Sequence, residues 1–502
     1  MNLPRTFTIS FACLLLNAPI QAEESPKSDG NLKSSDEKRQ NELPDPITRK
    51  ASISINGKKI DYQATVASMR IAHGDDAADI FYVAYERDNK SAPSTRPVMF
   101  AFNGGPGSSA VWLHIGMLGP KILKLPGDGT QPPKPPITIQ DNEQSILDIC
   151  DIVFIDPVST GYSRAEDEKK ANNFHGLDAD IESVGEFIRR WVTENNRWAS
   201  PKYLLGESYG GVRAAGLAKY LQSRHGMSLN GVVLLSAILD FATIQNASGQ
   251  DQSHSIFLPA YAAVAHHHGK LQGNRDALVA KAKTFAFGEY ATALIHGSEL
   301  THEQKTETAA KLEAYSGIPA ATWLKHQLRI NPSLFRAELL REEQKTIGRF
   351  DARVAWAAPY SQSPYPAYDP SYSLALGAFS TALKDYLGRE LGYKLDEPYE
   401  IITGKVHPWK WNGENRIVNV SERLATAMRD NPHLKVLVMS GHADLATPPE
   451  CVAHSLRHIH GLPEELRGNI STAYYEAGHM FYLNAPDLKK SRKDLVKFIA
   501  SE

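Results

Sequence analysis

Residues 202–216 read "KYLLGESYGGVRAAG", and this stretch decides the fold. "KYLL" is a short strand-like apolar run, the residues from Val212 onward carry the 3.6-residue period of a helix, and the two meet at G-E-S-Y-G. A strand that turns into a helix through G-x-S-x-G is a nucleophile elbow, a tight turn tolerated by its glycines that presents Ser208 at the carboxyl edge of a sheet. The five letters alone fit many glycine-rich turns; the setting between strand and helix makes them specific. Glu207 is out of place in such a turn, because a carboxylate beside a forming alkoxide opposes it. It must serve another purpose.

The pattern extends in both directions. "RPVMFAF" at 96–102, "CDIVFID" at 150–156 and "LNGVVLLSAI" at 229–238 are further continuous apolar runs, and "DADIESVGEFIRRWVTENN" at 178–196 is an amphipathic helix. Such strands, separated by helices, predict an α/β protein with a mostly parallel central sheet flanked by helices. Upstream, Asn56-Gly57 between β-prone runs predicts a hairpin, so the sheet should open on an antiparallel edge. Between 239 and 416 helical periods replace the strand runs, which predicts a mostly helical cap insertion. The sheet should resume with "LKVLVMSG" and "ISTAYYEAG" and close on a helix from 487, giving core segments 47–238 and 417–502.

The first residues, "MNLPRTFTISFACLLLNAPIQAEES", place Arg5 before an apolar stretch that ends near Ala22. This is the build of a signal peptide over 1–22, followed by a polar linker over 23–46 that is expected to be disordered. The apolar stretch, at about ten residues, is half of what a spanning helix needs, and no later run is long enough. The chain is expected to be exported, to the periplasm or beyond. Its 55 basic and 57 acidic residues give a net charge of −2, so no global field draws in nucleic acid. Once Cys13 leaves with the signal, Cys150 and Cys451 remain; they do not have zinc-site spacing, and whether they pair is open. His266, His267 and His268 precede Gly269 at a helix end, where cations suit the dipole, and are read that way rather than as metal ligands. "PYSQSPYPAYDPSYS" at 359–373 is either a packed cap loop or part of the substrate mouth.

A serine nucleophile needs a base, and the base an orienting acid, in the order Ser, Asp, His for this fold. Asp444 follows the strand "LKVLVMSG" and His479 follows the last strand, so both fit in order and position. His442, the nearest competing histidine, comes too early. The oxyanion of a tetrahedral intermediate calls for fixed donors, one from the amide of Tyr209 and one from the glycine-rich loop at Gly104 and Gly105. That loop ends without G-K-[ST], which argues against nucleotide binding.

Taken together, "NGGPGSS", "DIVFIDPVSTGYS", "GESYGG", "SGHAD" and "AGHM", in this order, resemble the serine carboxypeptidase family of α/β-hydrolases. The resemblance implies removal of single residues from the free carboxyl end of a peptide, without metal or cofactor. It implies Ser208, Asp444 and His479 as catalytic triad and Gly105 and Tyr209 as oxyanion donors. It also implies that Asn103, Gly104 and Glu207 hold the substrate's terminal carboxylate, which would give Glu207 its purpose. Some similar proteins use the triad for ester cleavage or acyl transfer, which stays as the alternative. Two departures stand out: Met117 occupies a position where many members have a glutamate sharing a proton with the residue matching Glu207, and Ser108 replaces a frequent cysteine.

Overall fold

The computed structural model describes residues 43–88, 95–413 and 415–500. The expected signal peptide and most of the linker lie outside the described residues. Nine strands form the path of the main sheet: β1 (Ile47–Ile55), β2 (Lys58–His73), β3 (Asp76–Arg87), β4 (Val98–Phe102), β5 (Asp151–Ile155), β6 (Lys202–Glu207), β7 (Gly231–Leu235), β8 (Lys435–Gly441) and β9 (Ile470–Tyr475). Their order is β1-β2-β3-β5-β4-β6-β7-β8-β9. β1, β2, β3 and β5 pair antiparallel, whereas the steps from β5 through β4, β6, β7 and β8 to β9 are parallel. This is the α/β-hydrolase arrangement anticipated from sequence. The Asn56-Gly57 turn joins β1 to β2 with φ of 51° and 72°, the left-handed pair that a two-residue hairpin requires.

Alternation along the strands explains why a sheet with helices on both faces forms. Val98, Phe100, Phe102, Leu204, Val232 and Leu234 enter one core with Ile181, Phe187 and Trp191 of α1 (Leu177–Glu194) and Val212 and Leu217 of α2 (Tyr209–His225). Met99, Ala101, Tyr203, Leu205, Val233 and Leu235 enter a second core on the opposite face. With both faces covered, the central strands are buried at every position.

Between β7 and β8 the chain adds nothing to the main sheet. Helix α3 (Gln252–His267), the helical stretch from Arg275 to His296 and α4 (His302–Ser316) pack around a third core, which reaches Ala443 and Leu445 on either side of Asp444. The insertion is not a single packing unit. Phe379 and Leu383 of α5 (Pro370–Asp385) belong to the second sheet core, and Val406 and Trp409 belong to the first. A two-stranded ribbon, Lys345–Ile347 with Ala355–Ala357, interrupts the helices; three-residue strands carry too few alternations to be read from sequence.

Candidate active site

The carboxyl ends of β6, β7, β8 and β9 lie side by side, and each delivers one part of the site. β6 ends at Glu207 and α2 begins at Tyr209, so the turn falls on Ser208 alone, held at φ 62° and ψ −124°. A side chain at such angles is strained by about 1–3 kcal/mol, and its surroundings must hold it. The Ser208 N–H donates to Leu235 O at 3.0 Å, and Ser208 O accepts from Gly211 and Ile238. Ser208 stays partly open to solvent while Glu207 and Tyr209 on either side are buried.

Asp444 and His479, 35 residues apart, meet because the turns after β8 and β9 are themselves paired: His442 N–H donates to Tyr475 O and Ala443 N–H to Ala477 O. His479 Nδ1 lies 2.8 Å from Asp444 Oδ2, and both residues are buried. Asp444 Oδ1 accepts from the amides of Ala446 at 2.7 Å and Thr447 at 2.9 Å, which fixes the carboxylate plane. The Thr447 hydroxyl, 2.6 Å from Ser236 O, also lies 3.0 Å from His479 Nδ1. Asp444 Oδ2 also lies within its reach, at 3.1 Å, but its one proton goes to the much nearer carbonyl, so it faces the imidazole as an acceptor. Nδ1 therefore carries hydrogen, and Nε2 is the basic nitrogen. Burial opposes charge on His479, but Asp444 and, beyond it, Glu207 outweigh this and raise its pKa above the ordinary value. No hydrogen bond joins Ser208 Oγ to His479 among the described residues; substrate binding commonly closes such a gap.

The glycine loop after β4 packs onto the elbow. A Cβ on Gly104 would stand 2.4 Å from Tyr209 N and 2.7 Å from Glu207 O, so only glycine permits this approach. It brings Gly105, exposed at φ 102°, beside the start of α2, where the Tyr209 N–H lies outside the helix hydrogen-bond ladder. Asn103 Oδ1 accepts from the Leu113 N–H at 3.2 Å, turning its amide nitrogen toward Glu207 and Tyr482. Glu207 Oε2 accepts from the Tyr482 hydroxyl at 2.8 Å. Burial raises the Glu207 pKa to about 7, although the His479 charge and the Tyr482 and Asn103 donors pull the other way.

Behind Asn103 lies a buried ion pair that sequence reading missed. Arg213 Nε and Nη2 donate to Asp180 at 2.8 and 3.1 Å, and Nη1 donates to Asn103 O at 2.6 Å. The two side chains are 1% and 3% exposed. Arg213→Met leaves a buried carboxylate without its partner and should cost about 3–5 kcal/mol, whereas replacing both residues with apolar ones should recover most of the loss. Chemical unfolding midpoints of the two variants check this; equal losses would show that the pair is not a desolvated unit. The missed residues carried little signal: Asp180 and Arg213 read as ordinary positions of amphipathic helices, and Thr447 and Tyr482 contribute only through contacts distant in sequence.

Elsewhere, Cys150 and Cys451 are buried free thiols, which settles the open pairing. His266 and His268 contact the carbonyls of Gly273 and Ala352, and among the described residues no cluster of His, Cys, Asp or Glu could hold a metal ion. The tyrosine- and proline-rich loop is mixed: Tyr360 and Tyr365 are exposed, while Tyr372 packs against Trp112 and Phe350.

Comparison with known proteins adds a family. Serine carboxypeptidase-like 16 of Arabidopsis thaliana is 28% identical over 185 residues, 34% of this chain and 40% of that protein. The lysosomal protective protein of Mus musculus is 24% identical over 190 residues, 38% and 35% of the two chains. The aligned stretches thus span well under half of these relatives' lengths. A prohormone-processing carboxypeptidase from Saccharomyces cerevisiae has a similar fold, with a TM-score of 0.54, 14% identity and coverage of 88% of this chain and 91% of that one. The family profile described as serine carboxypeptidase matches residues 70–480. That span runs from β2 to the residue after His479, so the elbow, the glycine loop, Asp444 and His479 all fall within it, and the chain belongs to the serine carboxypeptidase family.

Proposed function

We propose that this protein is an exported serine carboxypeptidase that releases single residues from peptides with a free carboxyl end. Ser208 is the nucleophile, His479 the base and Asp444 its orienting partner; Gly105 and Tyr209 stabilise the oxyanion, and Asn103, Gly104 and Glu207 hold the terminal carboxylate. Glu207 is the observation that carries this reading, a carboxyl group buried next to the nucleophile, raised to about 7 and ringed by neutral donors. An ester or an internal peptide bond has no use for it. A terminal carboxylate does, because a protonated carboxyl can donate to it.

The chemistry then follows from the geometry. His479 Nε2 takes the Ser208 proton as Oγ attacks the scissile carbonyl, and Asp444 stabilises the imidazolium that forms. The oxyanion turns to the amides of Gly105 and Tyr209. Collapse passes the His479 proton to the leaving amine, the released residue departs, and water attacks the acyl-enzyme by the same route. Among the described residues no helix is long and apolar enough to cross a membrane; the reading of export rests on the composition of residues 1–22.

The test is a peptide offered with a free carboxyl end and again as its amide. Blocking the end removes the group that Asn103 and Glu207 align, and kcat/KM should fall about 100-fold. Mass spectrometry of a mixed peptide library should show single residues leaving the carboxyl end. Equal rates on the two forms, or cleavage at internal bonds, would turn the assignment toward ester cleavage or acyl transfer.

The two titrations oppose one another. Two ionised carboxylates about 4 Å apart repel by roughly 4 kcal/mol at an effective dielectric of 20, so Glu207 must be protonated to receive the substrate. KM for a free-acid peptide should therefore climb as pH rises through about 7. His479 must be neutral, so turnover falls as pH drops through its raised value. An amide substrate keeps only the second limb, and KM measured against pH for the pair checks the difference.

A further inference from the structure

Tyr482 has no role in the scheme above. It lies three residues after His479 in the short turn Phe481–Leu483, is buried, and directs its hydroxyl to Glu207 Oε2. The Asn103 side chain lies against the same hydroxyl. The ring is held from the other side by the segment that carries Met117. A Cβ on Gly116 would stand 2.9 Å from Tyr482 Cε2 and 3.1 Å from the Phe379 ring, so this backbone rests directly on the tyrosine. Met117 is buried in the same apolar cluster as Tyr482, Phe379 and Trp112 and brings no acid to the site.

Building on the reading of Glu207 as a carboxylate receptor, we propose that Tyr482 is a positioning residue for the substrate's free end: by donating to Oε2 of Glu207 it directs the carboxyl proton to Oε1, from which it can be given to the substrate's carboxylate. The phenol does this without bringing a second titrating acid. Its own ionisation is pushed well above the ordinary value, by burial first and then by Glu207. The groups acting on Glu207 are His479 and Asp444 from the turns after β9 and β8, Asn103 from the glycine loop, and Tyr482 itself. Asp444 and His479 form a pair that works as a unit, and Asn103 and Tyr482 are neutral. His479 changes charge in the same range and acts on Glu207, so the free-acid KM curve is read against the amide curve, to which Glu207 recognition does not contribute.

Tyr482→Phe tests the assignment, because it removes the hydroxyl and keeps the ring that Gly116 rests on. The Tyr482 donor favours ionised Glu207, so its loss should move the midpoint of the free-acid KM curve upward by about one pH unit. With the proton no longer directed to Oε1, KM on the low-pH plateau should rise about 3- to 10-fold. The measurement is KM against pH for an acid and amide pair in the wild type and in Tyr482→Phe. An upward midpoint shift for the acid, with the amide curve flat in both proteins, supports the role. Separate acid and amide curves in the wild type with an unmoved or lowered midpoint in Tyr482→Phe would leave Glu207 as the receptor and overturn the role of Tyr482. Parallel curves in the wild type would remove Glu207 from substrate recognition, and Tyr482 with it.

Discussion

Ser208→Ala should abolish turnover, lowering kcat by about 10⁴- to 10⁶-fold. Alanine keeps the Cβ that makes φ 62° costly and leaves the amide to Leu235 O in place, so the elbow retains its shape and only Oγ is lost. Circular dichroism and the unfolding midpoint should be unchanged, which separates a missing nucleophile from a broken fold. What remains should be the small catalysis that oxyanion donors and substrate binding supply without a nucleophile. A serine-directed organophosphorus reagent should add one label per chain to the wild type and none to the variant, and a metal chelator should leave the wild-type rate intact. Full activity in Ser208→Ala would remove the acyl-enzyme mechanism; activity lost to a chelator would point to a metal.

The elbow was readable because its requirements are local. Strand, turn and the start of the helix fall within the fifteen residues of 202–216, and G-x-S-x-G marks the one position where the backbone is forced. Asp444 and His479 were readable for a related reason: the order of strands places their turns at the same sheet edge, where Asp444 follows the buried apolar run of β8 and His479 follows β9, an edge strand buried only at Tyr475 but rich in β-prone residues. The parts that were not readable depend on contacts between distant segments. Nothing near Arg213 says that Asp180 faces it across 33 residues, nor that its third nitrogen reaches the Asn103 carbonyl. Phe350 shows the same limit. Its carbonyl accepts the His479 backbone N–H at 2.5 Å and its ring lies 5.2 Å from the imidazole, yet it comes from an irregular stretch between the two strands of the inserted ribbon. The expectation of a mostly helical insertion gave no sign of this ribbon or of the segment of it that lies over the histidine.

Glu207 shows why residue type and environment must be weighed together. From sequence alone it was an unfavourable neighbour for a nucleophile. Burial changes the sign of that argument, since a carboxyl raised to about 7 is largely neutral in mildly acidic solution and no longer repels a developing alkoxide. The same neutrality makes it a donor. On the proposed reading, nucleophile and receptor can then sit on adjacent residues of one turn, which would hold the scissile carbonyl one residue away from the carboxylate being recognised.

Asp444→Asn should lower kcat by about 10⁴-fold at neutral pH, although the substitution changes only one atom. The hydrogen bonds around Asp444 decide how the asparagine must sit. Oδ1 accepts from the amides of Ala446 and Thr447, donors that only an oxygen can satisfy, so the asparagine oxygen takes that place and its NH₂ takes the place of Oδ2. There it faces His479 Nδ1, 2.8 Å away in the wild type. Two donors cannot face each other, so the imidazole answers by moving its hydrogen to Nε2, the nitrogen that must accept the Ser208 proton, and the base is lost without any displacement of the ring. The Thr447 hydroxyl opposes this change, because it stands 3.0 Å from Nδ1 as an acceptor while its own proton is held by Ser236 O. It should preserve a minor population of the productive tautomer, so Thr447→Val combined with Asp444→Asn should be slower than Asp444→Asn alone. The acid limb supplies a second readout: Asp444 is the chief influence raising the His479 pKa against burial, so in Asp444→Asn the midpoint of that limb should move to lower pH. Measuring kcat and kcat/KM against pH for the two variants decides the matter. A loss of less than about tenfold in Asp444→Asn, or an acid limb that stays where it is in the wild type, would mean that Asp444 neither orients nor charges the base.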